Sequence, residues 1–151
     1  MFFTNLILQQ EMPEMLPNNV LLAEDDEDDI LLFKTVLSEL NHNIPVTVAT
    51  NGILLMAFLK QASTLPEMIF LDLNMPHKNG FECLSEIKSN EKLNSIKIVI
   101  LSTSSQRQQI ENAYKGGADL CLTKPVSYTQ FKNMMEKCLS LNWEGLKQTT
   151  Y

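Results

Sequence analysis

From Asn19 onward, hydrophobic and polar positions along the chain switch between two periods. Short apolar runs of β-forming residues, "VLLAED", "VTVAT", "MIFLD", "KIVILS" and "DLCLT", alternate with stretches whose apolar residues recur every three or four positions. The first such stretch, "EDDILLFKTVLSEL", places Ile30, Leu31, Phe33, Leu37 and Leu40 near one helical face. Four more follow: "ILLMAFLKQAS" after the turn Thr50-Asn51-Gly52, "FECLSEIKS" after the loop "NMPHKNG", "SQRQQIENAYKGG", and "YTQFKNMMEKCLSL" after Lys124-Pro125. Gly116-Gly117 is predicted to stop the fourth helix, because glycine takes the left-handed C-cap conformation without strain. The runs "MIFL" and "KIVIL" are apolar without alternation, as expected of strands covered on both faces. Five strands alternating with five helices predict an α/β fold, a doubly wound five-stranded parallel sheet with helices on both faces.

Composition narrows the classes of function. With 151 residues, 44% of them hydrophobic and 20% charged, the chain has material for one domain with a proper core. That domain is expected over residues 19–141, between a flexible extension (1–18, with Met12 and Met15 as alternative starts) and a tail (142–151). Trp143 in the tail is expected to pack over the last helix or else to belong to a partner surface. A net charge of -6 without a basic stripe argues against nucleic acid or an anionic membrane as partner. No apolar run approaches the roughly 20 residues needed to span a bilayer, and the N-terminal apolar piece lacks the flanks of a signal peptide. Cys83, Cys121 and Cys138 are odd in number and show no metal or redox spacing. They are expected to be reduced packing residues in a cytoplasmic protein.

The candidate chemistry lies at the predicted strand ends, where doubly wound sheets bind their ligands. The first strand ends in Glu24-Asp25-Asp26, the third in Asp72, the fourth in Ser102-Thr103 and the fifth in Thr123-Lys124-Pro125. Each has a plain explanation alone. Asp26, Glu27, Asp28 and Asp29 suit the positive end of a helix dipole, Ser102 could cap a helix, Asp72 could form a turn, and Lys124 could lie along the surface. Coincidence at four separate strand ends points instead to one site. Clustered carboxylates repel unless a cation is present, and hard oxygen donors in an open cleft suit Mg²⁺ together with a phosphoryl group. In such a site Asp72 can act as a nucleophile that forms an aspartyl phosphate, with Lys124 and the Ser102 hydroxyl stabilising the transferring oxygens.

These residues bring the chain close to a known family. In order and spacing, "VLLAEDDEDD", "IFLDLNMPHKNGFE", "IVILSTS" and "GADLCLTKP" resemble the receiver domain of bacterial two-component response regulators, over residues 19–141. The resemblance implies a flavodoxin-like sheet of strand order 2-1-3-4-5 and Asp72 as phosphoacceptor. It implies Mg²⁺ held by Glu24, Asp25, Asp72 and the backbone carbonyl of Asn74, with Asp25 the direct ligand and Glu24 acting through water. Ser102 and Lys124 match the hydroxyl and the lysine that meet the phosphoryl group, and the Lys124-Pro125 bond is expected cis. Cys121 departs from the family pattern: it stands at the switch position, where an aromatic residue is usual, so the usual coupled rotation cannot operate in that form.

The resemblance further implies a stand-alone receiver, monomeric or weakly dimeric. It would be fed by a histidine kinase or histidine phosphotransfer protein and contact a downstream protein through residues 106–114, 119–122 and 128–139. It would be no enzyme beyond its own phosphorylation and dephosphorylation. A dehalogenase-type phosphatase would need an acid where Asn74 stands. An FMN carrier would need a donor-rich loop in place of "AEDDEDD". A phosphorylation-independent interaction module on the same fold remains the alternative.

Overall fold

A computed structural model describes residues 16–40, 43–103, 106–141 and 143. Strands β1 (Val20–Ala23), β2 (Val46–Ala49), β3 (Met68–Leu71), β4 (Lys97–Ser102) and β5 (Leu120–Thr123) alternate with five helices. These are α1 (Glu27–Glu39), α2 (Gly52–Gln61), α3 (Gly80–Ser89), α4 (Arg107–Lys115) and α5 (Tyr128–Leu139). All strand pairs are parallel, in the order β2-β1-β3-β4-β5, which matches the expected topology. No helix among the described residues is long and apolar enough to cross a membrane.

Successive strand residues point to opposite faces, and this divides the core in two. Leu21, Ile69, Leu71, Ile98 and Ile100 pack with α2, α3 and α4. Val20, Leu22, Phe70, Val99 and Leu101 pack with α1 and α5, where the rings of Phe33 and Phe70 meet edge to face at 5.0 Å. The central strands are therefore apolar at nearly every position, whereas the edge strands β2 and β5 are only half-buried.

Several expectations need adjustment. Leu31 is 65% exposed, and Val36 lies in the core instead. At 100° per residue, Phe33, Val36, Leu37 and Leu40 form one stripe, and Leu31 stands about 200° from Phe33. Gly117 takes the positive φ of 105° after α4, while Gly116 stays right-handed as the C-cap. The Lys124-Pro125 bond, expected cis, is trans, since no cis peptide occurs among the described residues. Trans is the lower-energy isomer by about 0.5–1 kcal/mol. Here the Lys124 N–H already donates to the Ser102 carbonyl at 2.8 Å, so the chain keeps its strand course up to the proline.

The proposed extension lies outside the described residues as far as residue 15. Asn18 is tied down, its backbone N–H and its amide both donating to the Glu67 carboxylate at 2.9 and 2.8 Å. In the tail only Trp143 is described, partly buried against the core layer of α1 and α5.

Candidate phosphoacceptor site

The site is assembled where β1 and β3 end side by side. Both strands stop one residue before an acid, and that acid's own N–H extends the pairing. Glu24 N–H donates to Ala49 O and Asp72 N–H to Ala23 O, each at 3.0 Å. Two carboxylates are thereby fixed to the rigid centre of the sheet at 2% and 8% exposure. Asp25 follows Glu24 and is exposed. One carboxylate oxygen from each of Glu24, Asp25 and Asp72 comes within 4.8 Å of the others.

The loop after Asp72 is built to hold that acid still. Asp72 Oδ1 accepts the Asn74 N–H at 3.2 Å, so the side chain does form the turn expected of it. Met75 is buried in the core and anchors the loop from below. His77 has φ 67°, and the Lys78 N–H donates to Pro76 O across it at 2.8 Å, a tight turn in the left-handed region. Gly80 then passes so close that a Cβ there would lie 2.5 Å from Asp72 O and 2.7 Å from Leu73 Cα. Gly80 opens α3 inside an Asn79–Glu82 capping box.

Ser102 is the last residue of β4 and is buried. With Leu71 level with Ile100, it stands one residue beyond the level of Asp72. Lys124 follows β5, and its Nζ donates to Glu24 Oε2 at 2.8 Å and Asp29 Oδ2 at 2.9 Å. Asp29 was assigned above to the helix dipole together with its neighbours. The structure gives the cap to Asp26, whose Oδ1 accepts from the Asp28 and Asp29 N–H groups, and gives Asp29 to the lysine. An acid in the first turn of the helix that leaves β1 was the available signal.

Electrostatics follow from this crowding. Burial pushes the Glu24 carboxyl up from its ordinary 4.5 to about 7; the bond from Lys124 opposes the rise and the charge of Asp72 adds to it. Burial works against the charge on Lys124 too, but its bonds to Glu24 and Asp29 and the neighbouring negative charges outweigh this and raise its pKa. Both values thus rise, which favours the charge on the lysine and disfavours it on the acid. Lys124 stays charged, and one lysine does not compensate the acids around it. Three hard oxygen donors short of positive charge fit a divalent cation of the Mg²⁺ type.

Cys121 lies half-buried on β5, its N–H donating to the Tyr114 hydroxyl at 3.1 Å. Burial pushes its thiol up to about 11, against the pull of the Tyr114 bond, which disfavours the reactive thiolate.

An acid-tipped parallel sheet of this order is the receiver architecture, and the chain belongs to the response regulator receiver domain family, whose model matches residues 20–136. It is a receiver of two-component signalling with an acidic pocket of Glu24, Asp25 and Asp72, not a conventional enzyme. Among curated proteins, the chain is 36% identical over 113 residues to the response regulator Rcp1 of Synechocystis sp. (strain PCC 6803), covering 72% of this chain and 77% of Rcp1. The Mn²⁺-bound crystal structure of response regulator Rcp1 superposes with a TM-score of 0.76 at 32% identity, over 89% of this chain and 98% of that one. The phosphorylated cyanobacterial phytochrome response regulator RcpA gives a TM-score of 0.74 at 32% identity, over 79% and 89%.

Proposed function

We propose that Asp72 accepts a phosphoryl group from the phosphohistidine of a histidine kinase or histidine phosphotransfer protein, and that the acyl phosphate alters the surface offered to a downstream protein. A carboxylate oxygen of Asp72 bonds to phosphorus as the bond from phosphorus to the imidazole nitrogen breaks and its electron pair returns to the ring. Glu24, Asp25, Asp72 and the backbone carbonyl of Asn74 would hold Mg²⁺, which when bound neutralises charge on the transferring oxygens. Lys124 and the Ser102 hydroxyl supply a cation and a hydrogen bond to the phosphoryl oxygens. Water attacking the same phosphorus restores the carboxylate and limits the lifetime of the signal.

The observation that carries this reading is the convergence of three carboxylates, with Asp72 fixed at the end of a central strand. The contact surface on this reading comprises α4, β5 and α5. With Cys121 in the switch position, the bond between the Tyr114 hydroxyl and the Cys121 N–H offers a direct link between α4 and β5. Intact mass after incubation with acetyl phosphate and Mg²⁺ tests the proposal. A phosphate adduct is expected that disappears in Asp72→Asn and under chelation. An adduct that survives in Asp72→Asn overturns the assignment, and no adduct from either acetyl phosphate or a phosphorylated kinase favours the phosphorylation-independent interaction module.

A further inference from the structure

We infer that Asp29 is a positioning residue that parks Lys124 away from the phosphoacceptor and so sets the threshold for phosphoryl engagement. The inference rests on the phosphoacceptor reading of Asp72. Lys124 Nζ is divided between Glu24 and Asp29, at 2.8 and 2.9 Å. These two acids differ in what else they do. Glu24 is buried and belongs to the carboxylate cluster that can take a cation, whereas Asp29 sits on α1, outside that cluster, with its side chain 37% exposed. A cation arriving at the cluster gives Glu24 a second positive partner and weakens its need of the lysine. Asp29 gains no such partner and keeps its hold.

The stem of the lysine is loosely packed on its α1 and α5 side. A cavity of about 50 Å³ adjoins its stem, walled by Leu22, Leu32, Phe33, Leu101, Pro125 and Phe131, with Glu24, Asp29 and Lys124 at its polar end. The two carboxylates hold the ammonium in place. On this proposal the ammonium exchanges Asp29 for a phosphoryl oxygen on Asp72. Removing Asp29 raises the free energy of the parked state only, because the engaged state lacks that bond. The equilibrium then shifts toward engagement. Since Asp26 caps α1, this can be done without unpinning the helix.

The test is a calorimetric titration of the full chain with beryllium fluoride, a stable phosphoryl mimic, at saturating Mg²⁺ and low salt, with Mg²⁺ affinity measured separately. A partly exposed pair is worth about 0.5–1 kcal/mol, so Asp29→Asn and Asp29→Ala should each bind the mimic roughly two- to fivefold tighter. Asp29→Glu should return toward wild type, and the gain should shrink at high salt. A purely structural role for Asp29 predicts looser binding in Asp29→Asn and Asp29→Ala instead. Wild-type binding with no tightening in either variant overturns the parking role alone. A wild type that does not bind the mimic overturns the phosphoacceptor reading, and the parking role with it.

Discussion

Replacing Glu24 by glutamine in the metal-free protein isolates what the acidic cluster costs the fold. The Glu24 carboxyl titrates near 7 in the folded protein against an ordinary 4.5. Between those values the native state holds a proton that the unfolded chain has released, so the unfolding free energy falls as pH rises. The contribution is fully present below about pH 4.5 and lost as pH passes through about 7. At about 1.4 kcal/mol per pH unit, the whole loss is about 3 kcal/mol. Glutamine has the shape of the protonated form and does not titrate. Variant and wild type should therefore match in stability near pH 4, and the variant should be about 3 kcal/mol more stable near pH 8. Urea unfolding with a chelator present at the two pH values measures this, and titrating groups remote from Glu24 cancel in the difference. A difference that stays constant with pH refutes the argument that burial and the charge of Asp72 hold Glu24 against ionisation. The stabilisation should come with loss of Mg²⁺ affinity, as expected where a site keeps a destabilising charge for its function.

Gly80→Ala should destabilise the fold by about 1–3 kcal/mol and slow acyl phosphate formation, because the added methyl meets the backbone of Asp72 and Leu73, which cannot yield as a side chain could; urea unfolding and intact mass check the two effects. Lys88→Met removes the cation that bonds Asp119 at 3.2 Å and the carbonyls of Asn94 and Ile96 at 3.3 and 3.1 Å. It should cost about 2 kcal/mol in urea unfolding, yet leave beryllium fluoride affinity unchanged, since these contacts lie at the end of the sheet opposite the site. Gln109→Leu should raise stability by about 1 kcal/mol, measured by thermal unfolding, because Gln109 Oε1 is buried without a hydrogen-bond partner among the described residues.

Most of the architecture was legible because burial on two faces leaves a signature along the chain. Strands such as "MIFL" and "KIVIL" are apolar at nearly every position, and the acids interrupt them only where the sheet ends. The site acids were legible for the same reason, since a carboxylate adjoining a buried run needs a cause. What escaped depended on angles and distances that spacing along the chain does not encode. Leu31 looked like a core residue beside Ile30, but two residues of helix carry it away from the stripe through Phe33. Asp29 looked like one acid among four at a helix start. Its distinct role depends on where the end of a strand 95 residues later delivers a lysine. The isomer of the Lys124-Pro125 bond was inferred from resemblance, and no pattern in the sequence determines it.

The unequal burial of the strands has a consequence for how such a protein can be rewired. Glu24, Asp72 and Ser102 continue the three inner strands, so a change that shifts them must disturb the segments that open last when the native state fluctuates. Across the molecule β5 is half-buried, and α4 commits only Ala113 to the interior. Its outward residues can be exchanged at small energetic cost. One end of the chain's proposed chemistry is thus held nearly invariant by folding itself, while the surface that we propose a partner reads is free to drift toward new listeners without disturbing those acids.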